Sequence, residues 1–200
     1  MNPFPPTITD IHTHSANHTS QSIYNVRLGL DQTIPDSVKW ISAGIHPWDT
    51  AQTTSRTDIL LSQLEYLVKN DPRLIAIGEC GLDTLAGGSQ AQQETIFKIH
   101  TDISERYGKP LIIHCVRSFD RLLHLNRHIR PNQPWIVHGF RGKPTLALQL
   151  ARAGIGMSLG EYFNTETART IPPGLLFTET DESSLTIEEI RNRIAKARGM

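Results

Sequence analysis

The sequence has little cysteine, no excess of charge of either sign and no long apolar run, and each shortage removes a class of protein. Cys80 and Cys115 are the only two cysteines in 200 residues. Both lie in apolar runs without C-x-x-C spacing, so neither a disulfide framework nor a cysteine zinc site is indicated. The 20 Lys and Arg balance the 20 Asp and Glu, so the chain lacks the basic surplus that accompanies tight, non-specific binding to long nucleic acid. A small or short-ended substrate fits better than a wrapped duplex. Met1 to Thr9 carries Pro3, Pro5 and Pro6 but no cationic segment followed by an apolar stretch, and no run approaches roughly 18 apolar residues. The expectation is therefore a reduced, cytoplasmic protein with no membrane partner. Repeats, low-complexity tracts and charge blocks are also missing, and no segment identifies a protein partner.

What is present is alternation. Short apolar runs (Thr7 to Thr13, Ile23 to Gly29, Trp40 to Ile45, Leu74 to Gly78, Pro110 to Cys115, Trp135 to Val137, Ile155 to Leu159 and Leu175 to Thr180) read as strands. Helical periodicity is clearest at Ile59 to Val68, Glu94 to Tyr107, Phe119 to His128, Thr145 to Ala153 and Ile187 to Ala197. About eight strands interleaved with helices predict an α/β fold in one domain spanning 1–200, a TIM-like (β/α)8 barrel. The gaps after His14 and after Gly29 are shorter than the roughly dozen residues a helical crossover needs. The barrel is accordingly expected to be trimmed in its first helices, with an open α/β sheet as the runner-up.

Barrel enzymes carry their chemistry at the carboxyl ends of strands. The first run, T-I-T-D-I-H-T-H, places Asp10, His12 and His14 at period two on one face. Four later strands each end on one ionisable residue: Glu79, His114, His138 and Asp181. The bland alternative is a set of buried, hydrogen-bonded histidines with helix-capping acids, and it has to account for five strands separately. Four imidazoles and two carboxylates suit divalent ions such as zinc or manganese and hold too much nitrogen for calcium. Six ligands exceed one tetrahedral shell, which predicts a pair of ions with Glu79 as the shared carboxylate. Cys80 and Cys115 alternate away from the rim and are assigned to packing. His18, His100, His124 and His128 receive no role, the last three reading as residues on solvated helix faces.

D-I-H-T-H at Asp10 to His14, G-I-H-P at Gly44 to Pro47, G-E-C-G-L-D at Gly78 to Asp83, I-I-H-C at Ile112 to Cys115, H-G-F-R-G at His138 to Gly142 and E-T-D at Glu179 to Asp181 together resemble the TatD-like deoxyribonuclease family of the amidohydrolase superfamily. The resemblance implies a TIM-like barrel and a two-metal phosphodiesterase acting on DNA ends with zinc, manganese or magnesium. It implies His12, His14, Glu79, His114, His138 and Asp181 as metal ligands, with His46 near the substrate phosphate. This chain compresses the interval between the first histidine pair and G-I-H-P. It carries Val116 where the family commonly has Arg, with Arg117 one position later, and Arg141 where a small hydroxyl residue is usual. Arg117 and Arg141 are both candidate phosphate contacts. Glu182, Ser183 and Ser184 replace the usual Pro-Tyr-Leu. The expected chemistry makes Asp181 the acceptor of the attacking water's proton. Glu179 is expected either to support the site or to form a buried ion pair, and Trp48 either to stack on a nucleobase or simply to pack. The alternatives are a hydrolase of a small-molecule ester, amide or phosphate, and a non-catalytic family member that binds a partner.

Overall fold

The computed structural model describes residues 2–16, 20–30 and 33–200; His18 lies outside them. Eight strands run in the order β1 (Asp10–Thr13), β2 (Ser22–Arg27), β3 (Trp40–Gly44), β4 (Leu74–Asp83), β5 (Leu111–Val116), β6 (Trp135–Val137), β7 (Gly156–Leu159) and β8 (Leu176–Thr178). Every neighbouring pair is parallel and the spatial order follows the chain order. Helices α1 (Thr54–Asn70), α2 (Gln90–Tyr107), α3 (Phe119–Ile129), α4 (Pro144–Arg152), α5 (Thr165–Thr170) and α6 (Ile187–Arg198) supply the crossovers and the final layer. Among the described residues no helix joins β1 to β2 or β2 to β3. The trimmed barrel is thus observed, because a gap that short leaves room for a turn but not for a packed helix. No helix among the described residues is long and apolar enough to cross a membrane.

The sheet closes between its ends. The Asp181 amide donates to the His12 carbonyl at 2.9 Å and the His14 amide to the Asp181 carbonyl at 3.2 Å, while Thr13 and Asp181 form a parallel bridge. Asp10 seals the seam: its carboxylate accepts the Thr180 amide at 3.0 Å, the Thr180 hydroxyl at 2.7 Å and the Ser22 hydroxyl at 3.2 Å. Burial raises the Asp10 pKa to about 7, against the Thr180 hydrogen bonds that favour the carboxylate. The open-sheet alternative is therefore set aside in favour of a nearly closed barrel.

Two apolar layers sit on opposite sides of the strands. Ile11, Ile23, Ile112 and Ile136 pack together with Phe4 and Ile8; Ile112 and Ile136 share the face of His114 and His138 by alternation, which places this cluster inside the barrel beneath them. The larger layer lies between sheet and helices, where Leu60 and Leu64 of α1 and Phe97 and Ile103 of α2 are fully or almost fully buried. Each such side chain contributes on the order of 1.5–3 kcal/mol by leaving water. Cys80 and Cys115 belong to this layer. Burial pushes the Cys115 thiol up to about 12 and the Cys80 thiol higher still, as packing residues require.

Helix ends depart from the periodic runs where caps decide them. α1 begins at Thr54, capped by the Thr53 hydroxyl, and α2 begins at Gln90 with a reciprocal Ser89 and Gln92 capping box. Their first turns are polar, so an apolar stripe does not mark them. α5 was not expected: its six residues bury Thr167 and Ala168 alone, and its signal is the Asn164 cap. β4 runs on to Asp83, five residues past the apolar run that ends at Gly78. Gly78 and Gly81 explain the extension. Each has positive φ, and a Cβ would stand 2.2 Å from the Ile112 carbonyl oxygen or 1.9 Å from that of His114, so only glycine lets β4 approach β5 this closely.

Candidate metal centre

Asp181, His12 and His14 form one side of the rim cluster. His12 is fully buried, and its Nε2 lies 3.6 Å from Glu79 Oε2 and 3.7 Å from Asp181 Oδ1, with His14 Nε2 3.5 Å from the same Asp181 oxygen. The other side gathers on Glu79 Oε1, with His138 Nε2 at 2.6 Å and His114 Nδ1 at 2.9 Å. The six side chains expected at strand ends are thus brought together, and Glu79 lies between the two sets with one oxygen toward each.

Three observations test whether these residues fit divalent ions. Both ring nitrogens of His12 are buried without a hydrogen-bond partner, an arrangement that costs about 1–3 kcal/mol for an unsatisfied buried group. Burial, reinforced by the positive charge on His138, holds the His12 pKa well below the usual imidazole range; a neutral ring is the ligating form. The third observation concerns His114. Its Nε2 lies 3.1 Å from Asp83 Oδ2. A carboxylate thus faces each ring nitrogen, Asp83 at Nε2 and Glu79 Oε1 at Nδ1; with Nε2–H held by Asp83, Nδ1 is the atom that would turn a lone pair to an ion beside Glu79. Several triads, each with at least one buried member, have ligand atoms within 4.8 Å of one another, among them His12, His14 and Asp181, and His12, Glu79 and His138. The donor set fits divalent metal ions.

The charges of the rim depend on one another, and the proton that His138 carries beside Glu79 would have to leave before its Nε2 could ligate an ion. Burial opposes ionisation of Glu79, but charged His138 and hydrogen bonds from His114, His138 and His46 hold it well below the usual carboxylate range. Burial likewise opposes protonation of His138, yet Glu79 and then Glu179 hold its pKa well above the usual value. Burial raises Asp181, the direction that suits a proton acceptor.

Around this cluster lie residues that the sequence marked only in part. Asn25, two positions before the end of β2, accepts the Glu79 amide at 3.0 Å and donates to Glu79 Oε2 at 3.3 Å. It went unnoticed because it is not ionisable. Asp83 closes G-E-C-G-L-D, two and four positions from Gly81 and Glu79, a spacing that puts it on the face of Glu79 because β4 continues to it. Glu179, fully buried, accepts the Gly139 amide and lies 3.6 Å from His138 Nδ1, which places it as support behind that imidazole. His46 is buried in the cluster, 3.2 Å from Glu79 Oε1 and 3.3 Å from His114 Nδ1. Its Nδ1 accepts the Trp48 amide at 3.1 Å, so Nε2 carries the proton and is a donor. Trp48 is half exposed beside it, ring centroids 4.7 Å apart.

The two arginines separate. Arg141 stacks over Tyr162 at 5.1 Å and lines a cleft of about 360 Å³ with Glu179, Asp181 and Ser183. Arg117, at φ 50°, lines another depression, with Glu94 and Lys98 of α2 and Arg121 of α3. His124 and His128 pair on α3 with rings 4.0 Å apart. His100 requires a correction: it is fully buried rather than on a solvated face, because α2 turns that side toward the end of β3.

A nearly closed parallel barrel with imidazoles and carboxylates gathered toward the carboxyl ends of its strands defines a TIM-like barrel with a metal-type centre. The chain belongs to the family of TatD-related DNases, whose model matches residues 10–197. It is 28% identical over 158 residues to the uncharacterized metal-dependent hydrolase YjjV of Escherichia coli K12, covering 74% of this chain and 60% of that protein. It is 34% identical over 117 residues to the 3'-5' ssDNA/RNA exonuclease TatD of Edwardsiella piscicida, covering 58% of this chain and 43% of that one. The chain therefore spans about three fifths or less of these relatives' length. The crystal structure of YjjV superposes with a TM-score of 0.75 at 20% identity, over 96% of this chain and 90% of that one. A TatD-family hydrolase from Entamoeba histolytica gives 0.66 at 21% identity, over 82% and 62%. These superpositions bear out the barrel.

Proposed function

We propose that the chain is a divalent-metal-dependent phosphodiesterase that releases nucleotides from DNA ends, with His12, His14, Glu79, His114, His138 and Asp181 holding two ions, zinc, manganese or magnesium. The observation that carries this reading is the division of Glu79, Oε2 toward His12 and Oε1 toward His114 and His138. Bound there, two ions would supply Lewis acidity, easing ionisation of a water and offsetting charge on the phosphoryl oxygens. Asp181 accepts the proton of the attacking water. His46 Nε2–H, which faces Glu79 Oε1 at 3.2 Å, would pass to a phosphate oxygen when ions take up the Glu79 carboxylate, and Arg141 approaches the same group from the cleft it shares with Asp181. Arg117, placed between α2 and α3, is the less favoured cation. The exonuclease name carried by relatives such as that of Edwardsiella piscicida supports a nucleic-acid end as substrate.

Hydrolysis of a small phosphate ester or other small-molecule ester or amide is the second reading. It is favoured by the lack of any helix between β1 and β3 among the described residues, which leaves a lower wall for a strand to rest on, and by the zero net charge. Nucleotide release from single-stranded DNA with each ion, compared among the parent, His114→Ala and Asp181→Asn with metal content measured in parallel, separates the readings. Metal-dependent release lost in both variants supports the nuclease. Bound metal without release moves the assignment to a small ester, and no bound metal overturns both.

A further inference from the structure

His46 stands in a turn whose residues are held by side chains from several elements. Asp49 takes a two-pronged ion pair from Arg27 of β2, at 2.6 and 2.7 Å, and Trp48 donates to Asp83 of β4. On the other side of His46, the Ile45 amide donates to Nε2 of His100, on α2, at 2.9 Å. The register of β3 with β4 ends at Ala43 and Ile77, so Ile45 lies beyond the last ladder pairing while 1% exposed. Left unpaired there, its amide would cost about 1–3 kcal/mol. His100 Nδ1 lies 2.8 Å from the Ile96 carbonyl, which only accepts. Nδ1 therefore carries the proton and Nε2 offers a lone pair, and both ring nitrogens are satisfied in one orientation. A leucine would fill this volume without burying polar atoms, yet would leave the amide orphaned.

We propose that His100 is a positioning residue: through the Ile45 amide it fixes the backbone from which His46 reaches the cluster, and so sets the direction of the His46 Nε2–H toward a substrate phosphate oxygen. The last clause rests on the phosphodiesterase reading; the positioning itself does not. Burial holds the His100 pKa at about 4, so the ring stays in its accepting, neutral form at neutral pH.

The test begins on the full, metal-free, ¹⁵N-labelled chain. A through-hydrogen-bond coupling between the Ile45 amide nitrogen and His100 Nε2 is expected, together with a single Nε2–H tautomer of His46. His100→Leu should turn His46 into a mixture of tautomers, and His100→Gln, which again offers an acceptor, should restore the single form. In metal-loaded protein, His100→Leu should lower kcat/KM on a single-stranded oligonucleotide about tenfold, and should cause no further loss when added to His46→Ala. Fully additive losses, or an unchanged His46 tautomer in folded His100→Leu, overturn the proposal. If His100→Leu does not fold, the coupling in the parent decides, and its absence overturns the proposal. A parent that releases no nucleotide refutes the phosphodiesterase reading while the spectroscopic arms still decide the role of His100.

Discussion

The indole N–H of Trp48 donates to Asp83 Oδ2 at 2.7 Å, and the same oxygen lies 3.1 Å from His114 Nε2. One carboxylate thus orients a half-exposed aromatic ring and an imidazole of the rim cluster. Asp83→Ala should weaken metal binding by roughly 10- to 100-fold, as loss of an outer partner of a ligating histidine does. It should also free Trp48 and raise quenching of tryptophan fluorescence by iodide, since Trp48 is the one exposed indole of the three, Trp135 being buried and Trp40 partly buried. Metal titration and quenching that both match the parent would count against this role.

Asp10 closes the barrel rather than joining the rim. Asp10→Ala removes the acceptor for the Thr180 amide, the Thr180 hydroxyl and the Ser22 hydroxyl. The loss should be about 2–4 kcal/mol, since two or three buried donors lose their partner. The urea midpoint measures it, and a fall well under 1 kcal/mol would contradict a seam held by this residue.

Gly81→Ala should be among the most disruptive single substitutions in the chain. Its methyl group would have to occupy a point 1.9 Å from the His114 carbonyl oxygen at φ +149°, so β4 must move away from β5. The expected outcome is a loss of more than about 3 kcal/mol, combining overpacking with backbone strain, and of His114's place beside Glu79. Thermal unfolding and metal content report the two parts.

Acid should destabilise the chain through His100. Its folded pKa, held at about 4 by burial, lies below the ordinary 6.5. Between these values the unfolded chain binds the proton and the folded chain does not, so stability falls as pH drops from about 6.5 to 4 and then levels. The difference amounts to roughly 3 kcal/mol. Urea unfolding at pH 7, 6 and 5 in the presence of a chelator should show this slope; buried His12 and His46, whose pKa values are also depressed, add to it with the same sign, so His100→Gln should lessen the slope by the share of His100 and leave the rest.

Much of the rim was legible because an ionisable residue closing an apolar run is conspicuous. His12, Glu79, His114, His138 and Asp181 each close or follow an apolar run, even though β4 continues four residues past Glu79, and all come together. Asn25 and Asp83 were not legible by that rule, one being neutral and the other lying five residues beyond the end of its apolar run. His100 misled because a polar residue on an amphipathic helix reads as solvated until the opposing strand is known.

The sequence by itself determined the alternation of strand and helix, the lack of a helix before β3 among the described residues and the types of side chain gathered at the rim, since these follow from local periodicity, gap length and side-chain chemistry. Only the tertiary structure decided which oxygen of Glu79 faces which histidines, that Asp10 seals β1 to β8, and that Arg141 rather than Arg117 shares a cleft with Asp181. Those relationships join residues as many as 170 positions apart, and barrel closure, which no local window of sequence contains, brings them within hydrogen-bonding reach.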